Sequence, residues 1–190
     1  MVSKSNSFYN RSELENLGFP QFGYNVFVSR YARIYGIEHL SISNNVRIDD
    51  FCVISVNQPS TIGNYVHIGT STSIHCPKGF EIGDFAGISP GSRIFGISDS
   101  FTEGFLMHSL VPLEFRKVSE SRIQLSNFSQ IGANCVILPT AFLAEGAVLG
   151  ANSMLKSRTQ EWGIYGGVPA KKIGIRPKVV NLPKLSTEYK

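Results

Sequence analysis

Residues 62–94 read IGNYVHIGTSTSIHCPKGFEIGDFAGISPGSRI, and their spacing decides the fold. Isoleucine recurs at 62, 68, 74, 82, 88 and 94, so two steps of six are followed by one of eight. The rhythm runs back through Ile42, Ile48 and Ile54 to Phe22, Val28 and Ile34, with equivalent positions 20 apart. It resumes at Leu125, Ile131, Ile137, Leu143, Leu149 and Leu155 at a strict six. On each six-residue side a small residue follows four places on, from Val26 and Ala32 through Cys52, Thr72 and Ser92 to Cys135, Ser153 and Thr159.

A period of six fits neither the 3.6 of a helix nor the alternation of a long strand. It fits a triangular coil in which each side turns one large aliphatic inward and a small residue sits where the chain turns the corner. Three sides make a turn, and turns stack as parallel strands about 4.8 Å apart. Six coils over 22–160 predict a prism about 30 Å tall. Cys52 and Cys135 then read as small inward residues rather than reactive thiols.

The chain of 190 residues suffices for one domain with a sizeable core and is too short for two. With 42% hydrophobic and 17% charged residues, disordered and coiled-coil classes are excluded. Three cysteines without CxxC spacing argue against a disulfide scaffold or zinc module. No apolar run approaches a membrane span, and the N-terminal stretch lacks the apolar core of a signal peptide, so a cytoplasmic protein is expected. The net charge of +4 is uneven: residues 155–190 carry eight Lys and Arg against Glu161 and Glu188, and the rest is slightly acidic.

Residues 1–21 predict a cap over the first coil. Its short helix would start at Asn10 or Ser12, carry Glu13 and Glu15 in the first turn, and end at Gly18. Such a cap protects an open strand edge. Ile94 and Leu125 enclose 30 residues, far more than one side needs, and the excess at about 102–122 is rich in apolar side chains. A long apolar loop inside a compact repeat points to function and to contact with a neighbouring subunit.

The [LIV]-G-x-x-[STAV]-x hexads resemble those of the hexapeptide-repeat acyltransferases, and WGIYGGVPAKKI (Trp162 to Ile173) resembles the segment that follows their last coil. RSELENLGF, RIDDFCVIS, HIG and SDSF are similar to the subgroup that acylates sugars for surface polysaccharides, which includes dTDP-4-amino-4,6-dideoxyglucose acyltransferases and sugar O-acetyltransferases. The resemblance implies an all-β fold, a left-handed parallel β-helix with a loop excursion over 22–160 and a C-terminal extension over 161–190. It further implies a homotrimer with active sites between subunits. The expected reaction is transfer of an acetyl group from acetyl-CoA to a sugar. The preferred acceptor is the amino group of a nucleotide-linked amino-deoxysugar, attacked directly in a ternary complex.

Acyl transfer needs a base, oxyanion donors and a slot for the thioester. His67 precedes inward Ile68 and therefore faces outward, flanked in neighbouring coils by Arg47 and Gly87. A guanidinium one strand away favours neutral imidazole, and Gly87 leaves space for a ligand. His67 is the first expectation for the base. Asp99, where many relatives carry histidine, is alternatively the base, a partner of His67, or a binder of the acceptor's amine. His108 in the excursion is a further candidate. Asp49 and Asp50 are outward, available to sugar hydroxyls or an ammonium group unless they form a solvated corner. For CoA, Ala133, Ala151 and Ser153 are small enough to border a pantetheine arm. Pro169, Ala170, Lys171 and Lys172 match the family's P-A-K segment, whose lysines meet phosphates as point charges.

Other readings have less support. No HxxxxH pair supports the metal site of a γ-class carbonic anhydrase, so no metal is expected. Ice-binding helices need a threonine ladder, and GTSTS at 69–73 is isolated. The basic residues lack the interleaved aromatics of a nucleic-acid surface. O-acetylation of a saccharide hydroxyl is the nearest rival, and a non-catalytic scaffold is the more distant one.

Overall fold

The computed structural model describes residues 7–179. The chain winds into a three-faced parallel β-helix in the register read from the sequence. On the first face Val28, Ile48, Ile68, Ile88, Ile131 and Leu149 are aligned from strand to strand. The second aligns Ile34, Ile54, Ile74, Ile94, Ile137 and Leu155. The third aligns Ile42, Ile62, Ile82, Leu125 and Leu143, with Phe22 bridging to Ile42 at its start. Side chains alternate across each short strand, so one residue per side is driven inward and its neighbours stay wet.

The corner rule holds throughout. Val46, Cys52, Val66, Thr72, Ala86, Ser92, Cys135 and Ala147 are all buried, as are their counterparts in the outer coils. A larger side chain would overfill these corners, because the interior is close-packed. The eight-residue sides use their two extra residues to bring in another layer, with Leu40, Val56, Ser60, Cys76 and Phe80 turned inward.

The stack does not stop at residue 160. The strand Gly163–Gly167 pairs in parallel with Val148–Leu149, aligning Tyr165 on Leu149, and an antiparallel strand Ala170–Ile175 closes the face beyond it. An aromatic occupies the inward position, and the step from Leu149 is 16 rather than 18, so the hexad pattern does not announce this coil. At the other end, helix Arg11–Glu15 carries a capping box between Asn10 and Glu13 and closes at Asn16, two residues before Gly18, whose backbone is left-handed. Tyr9 N–H donates to Val28 O at 3.0 Å and Arg30 N–H to Ser7 O at 2.8 Å, so this segment covers the first strand's outer edge.

The corner entering the first face has its own construction. Asn25, Asn45, Tyr65, Phe85, Phe128, Gly146 and Trp162 all have positive φ. Tyr65 stacks on Phe85 at 4.9 Å, Phe85 on Phe128 at 5.2 Å, and Phe128 faces Trp162 at 6.1 Å. Stacking of successive rings holds bulky residues in a conformation they otherwise avoid. Arg176 fastens the C-terminal strand here, donating to the carbonyls of Phe128 (2.7 Å) and Gly146 (3.3 Å) with its guanidinium over the Trp162 ring.

Between the second and third faces the chain leaves the helix as an arm. Ile97–Asp99 goes out and Val118–Glu120 returns beside it, antiparallel. The arm's tip presents Phe101, Phe105, Leu106, Met107, Leu110, Leu113 and Phe115 to solvent, Leu110 at 89% exposure.

Candidate active site

His67 sits on the first face, outward and exposed, as its place before Ile68 requires. Its Nε2 lies 2.7 Å from Asp49 Oδ2, and Arg47 Nε donates to Asp49 Oδ1 at 2.6 Å. Asp49 follows inward Ile48 in the coil below, so the two short strands set one group above the other. Burial works against the Asp49 charge, but the bonds from His67 and Arg47 outweigh it and hold the carboxyl below its usual range. An ionised carboxylate only accepts hydrogen bonds, so Nε2 carries a proton, and Nδ1 is the ring nitrogen left to accept one from a substrate. The group that orients His67 is therefore Asp49, eighteen residues earlier in the chain. No hydrogen bond among the described residues joins His67 to Asp99.

Two expectations around His67 change. The Arg47 guanidinium engages Asp49 and lies 4.9 Å over the Phe8 ring, so it reaches the histidine through the carboxylate. Gly87 does not open a space, because the Gln130 side chain fills it: Gln130 Nε2 donates to Phe85 O at 2.9 Å, and a Cβ on Gly87 would strike the same amide. Asp50 accepts a 2.5 Å bond from Ser29 Oγ, and its carbonyl accepts one from Thr70, which is a corner-building role. Arg47, Asp49, Asp50 and Thr70 line a hollow of about 350 Å³ together with Ser7 and Phe8. A hollow of about 600 Å³ lies elsewhere, beside the arm's base, and its charges are spent: Lys78 pairs with Glu120 at 3.4 Å and Arg122 donates to two backbone carbonyls.

Asp99 ends the arm's outgoing strand. Arg116 grips it with two bonds, Nε to Oδ1 at 2.8 Å and the terminal nitrogen to Oδ2 at 3.1 Å, and the backbone N–H of His108 donates to Oδ2 at 3.0 Å. Arg116 foremost, against burial and with help from that N–H, holds the carboxyl below the usual range. The His108 side chain is exposed on a backbone with φ 74°, so the residue's fixed contribution is its N–H. Sequence reasoning missed Arg116, which lies 17 residues away at the end of an irregular loop with no periodicity to place it.

At the C-terminal end, Ala133 and Ala151 stack on neighbouring corners, half-buried and exposed, with Asn152 N–H donating to Ala133 O at 2.8 Å. Ser153 does not line an outer slot. It is an inward corner residue at 2% exposure whose Oγ accepts from Gly167 N–H at 3.0 Å. Pro169 lies in the exposed two-residue turn between the last strands, followed by Ala170 at the start of the second. Lys172 donates to Gln160 at 2.7 Å, and Lys171 forms no ion pair among the described residues. Of the other tail cations, Arg158 covers the Phe142 ring at 4.1 Å, and Lys184 and Lys190 lie outside the described residues. Burial pushes the Cys52 thiol up to about 11 and the Cys76 thiol up to about 12, and it raises Cys135 as well. Among the described residues no cluster of His, Cys, Asp or Glu is arranged to hold a metal, and no helix is long and apolar enough to cross a membrane.

The coil register and the C-terminal hairpin invite comparison with known proteins. No family model matches the chain. It is 33% identical over 173 residues, 90% of each chain, to the dTDP-4-amino-4,6-dideoxy-D-glucose acyltransferase of Escherichia coli. The chain belongs to the hexapeptide-repeat sugar acyltransferases. Its β-helix is accordingly the left-handed helix of that family. A variant of the N-acyltransferase AntD of Bacillus cereus, with one serine replaced by cysteine and solved with dTDP-4-amino-4,6-dideoxyglucose and coenzyme A, superposes at a TM-score of 0.90 with 38% identity over 97% of both chains. Its solved complexes include one with dTDP and 3-hydroxybutyryl-CoA, and others with one serine or one aspartate replaced. A putative lipopolysaccharide biosynthesis O-acetyl transferase of Escherichia coli is 27% identical over 142 residues, 70% of this acyltransferase and 67% of that chain. A hexapeptide-repeat acetyltransferase of Vibrio cholerae shares the fold, with a TM-score of 0.58 and 19% identity over 88% of this chain and 80% of that one.

Proposed function

We propose that this acyltransferase moves an acyl group from acyl-CoA to the amino group of a dTDP-linked amino-deoxysugar, in a site completed by a second copy. The observation that carries the reading is the end-to-end match to AntD, a protein solved with both such ligands. In the reaction the sugar nitrogen attacks the thioester carbon, the new C–N bond forms, and the C–S bond breaks to release the CoA thiolate. The proton lost by nitrogen passes to a base and on to the thiolate. Asp99 meets the amino group and His67, held by Asp49, accepts the proton at Nδ1. Supporting Asp99, it follows Ser89 by ten positions, the separation of the aspartate and serine replaced in AntD. Ser89, half-buried just beyond Ile88, thereby joins the site.

The exposed apolar arm supports a cyclic trimer in which one chain's arm covers another's first face. Lys171, with Ala133, Ala151, Pro169 and Ala170, supports a CoA site along the late coils, and acetyl is the expected acyl group. The setting is the cytoplasm, where acyl-CoA and nucleotide sugars are made, with polysaccharide synthesis as the use of the product. Thiol release from acetyl-CoA and 3-hydroxybutyryl-CoA, with dTDP- and UDP-linked amino sugars and simple glycosides as acceptors, tests the reading. Turnover is expected with the dTDP amino sugar. Turnover on glycoside hydroxyls alone favours the O-acetyl alternative suggested by the weaker relative. Replacing His67 by alanine is expected to lower kcat about 10²–10⁴-fold; most of the rate surviving would remove His67 as the base.

A further inference from the structure

We infer that Arg116 is the positioning residue for Asp99, fixing its carboxylate so that one oxygen direction is reserved for the acceptor's amino group. The inference rests on the reading of Asp99 given above. The two groups meet at the root of the arm, where Asp99 pairs with Val118 and Ser100 N–H donates to Lys117 O. Their side chains are only 10% and 15% exposed, although the arm beyond them is open to solvent. A two-point guanidinium–carboxylate bond fixes direction as well as distance, which a lysine would not do.

The count of lone pairs gives the arrangement its meaning. An ionised carboxylate accepts in about four directions. Arg116 takes two and the His108 N–H takes a third. Three donors thus converge from two parts of the arm on one carboxylate, and one direction remains. A simple staple at the arm's root would need the ion pair alone.

The experiment measures steady-state kinetics with acetyl-CoA and dTDP-4-amino-4,6-dideoxyglucose for Arg116→Met, Arg116→Lys, Asp99→Asn and the Met/Asn double variant. Arg116→Met is expected to raise KM for the amino sugar about tenfold while KM for acetyl-CoA stays within about twofold. Arg116→Lys, which keeps the charge and loses the fork, should recover part of the loss. In the Asp99→Asn background Arg116→Met should cost less than about twofold, since the group it positions is gone. A full loss in that background, or equal damage to both KM values, overturns the inference and makes Arg116 structural. Asp99→Asn with unchanged kcat/KM would instead strike down the Asp99 reading itself. Should Arg116→Met fail to fold, the Lys variant in both backgrounds gives the same comparison.

Discussion

At the scale of single residues, the proposed site rests on carboxylates that the fold keeps charged. Asp99 is the cleaner case, because one guanidinium, that of Arg116, holds both of its oxygens. Its folded value is depressed, so its stabilising contribution is complete above the unfolded value of about 3.9 and is lost as pH falls through the folded one. Thermal melts of the native protein and Asp99→Asn should therefore differ by a constant Tm gap from pH 7 to about pH 4, closing below. A gap that persists unchanged to pH 2.5 would show that the charge is not what the arm's root depends on. Sequence supplied the identities here and not the pairings. Asp49 and His67 are 18 residues apart and meet only because consecutive coils stack, while Asp99 and Arg116 meet only through an irregular loop.

At the scale of elements, the hexads were legible because packing enforces them: one aliphatic and one small residue per six-residue side, buried where the spacing put them beyond the half-buried Phe22 and Ile34 of the first coil. The left-handed corner was not legible. Tyr65, Phe85 and Phe128 break the local preference against bulky residues at positive φ, and only the stack of rings makes sense of them. Gly146 is the rung where no side chain fits, for its φ is +65° and a Cβ would run into the Trp162 indole. Gly146→Ala should destabilise the protein by about 2–4 kcal/mol in urea unfolding, from backbone strain and overpacking together. A loss below about 0.5 kcal/mol would mean that the indole moves aside freely. The last coil was missed for a related reason: Tyr165 takes an aliphatic's place at an irregular step, and its hydroxyl accepts from Gln160 N–H at 2.8 Å.

At the scale of the whole molecule, the surface is divided. The basic excess of the tail is partly consumed in building the helix end, since Arg176 and Arg158 lie over rings and Lys172 is bonded to Gln160. Charge counting therefore overstates the cations left for phosphate. The arm is the counterpart, an exposed apolar surface of the kind that marks a contact with another protein chain. Light scattering on a sizing column should report three chains per particle, and Leu110→Asp should shift the protein toward monomers with far-UV dichroism unchanged. Three-chain particles persisting in that variant would place the subunit contact elsewhere.

The three buried cysteines bear on the chemistry in another way. Every turnover liberates a thiol beside a pool of thioester, a setting in which an accessible thiolate would be acylated or drawn into mixed disulfides. With two thiols held to about 11 and 12 and all three walled in by the coils, the scaffold is inert to its own substrate and product. An aromatic disulfide reagent added to the native protein should register no fast-reacting sulfur, and three after denaturation. The colour it develops during an assay then measures released CoA alone.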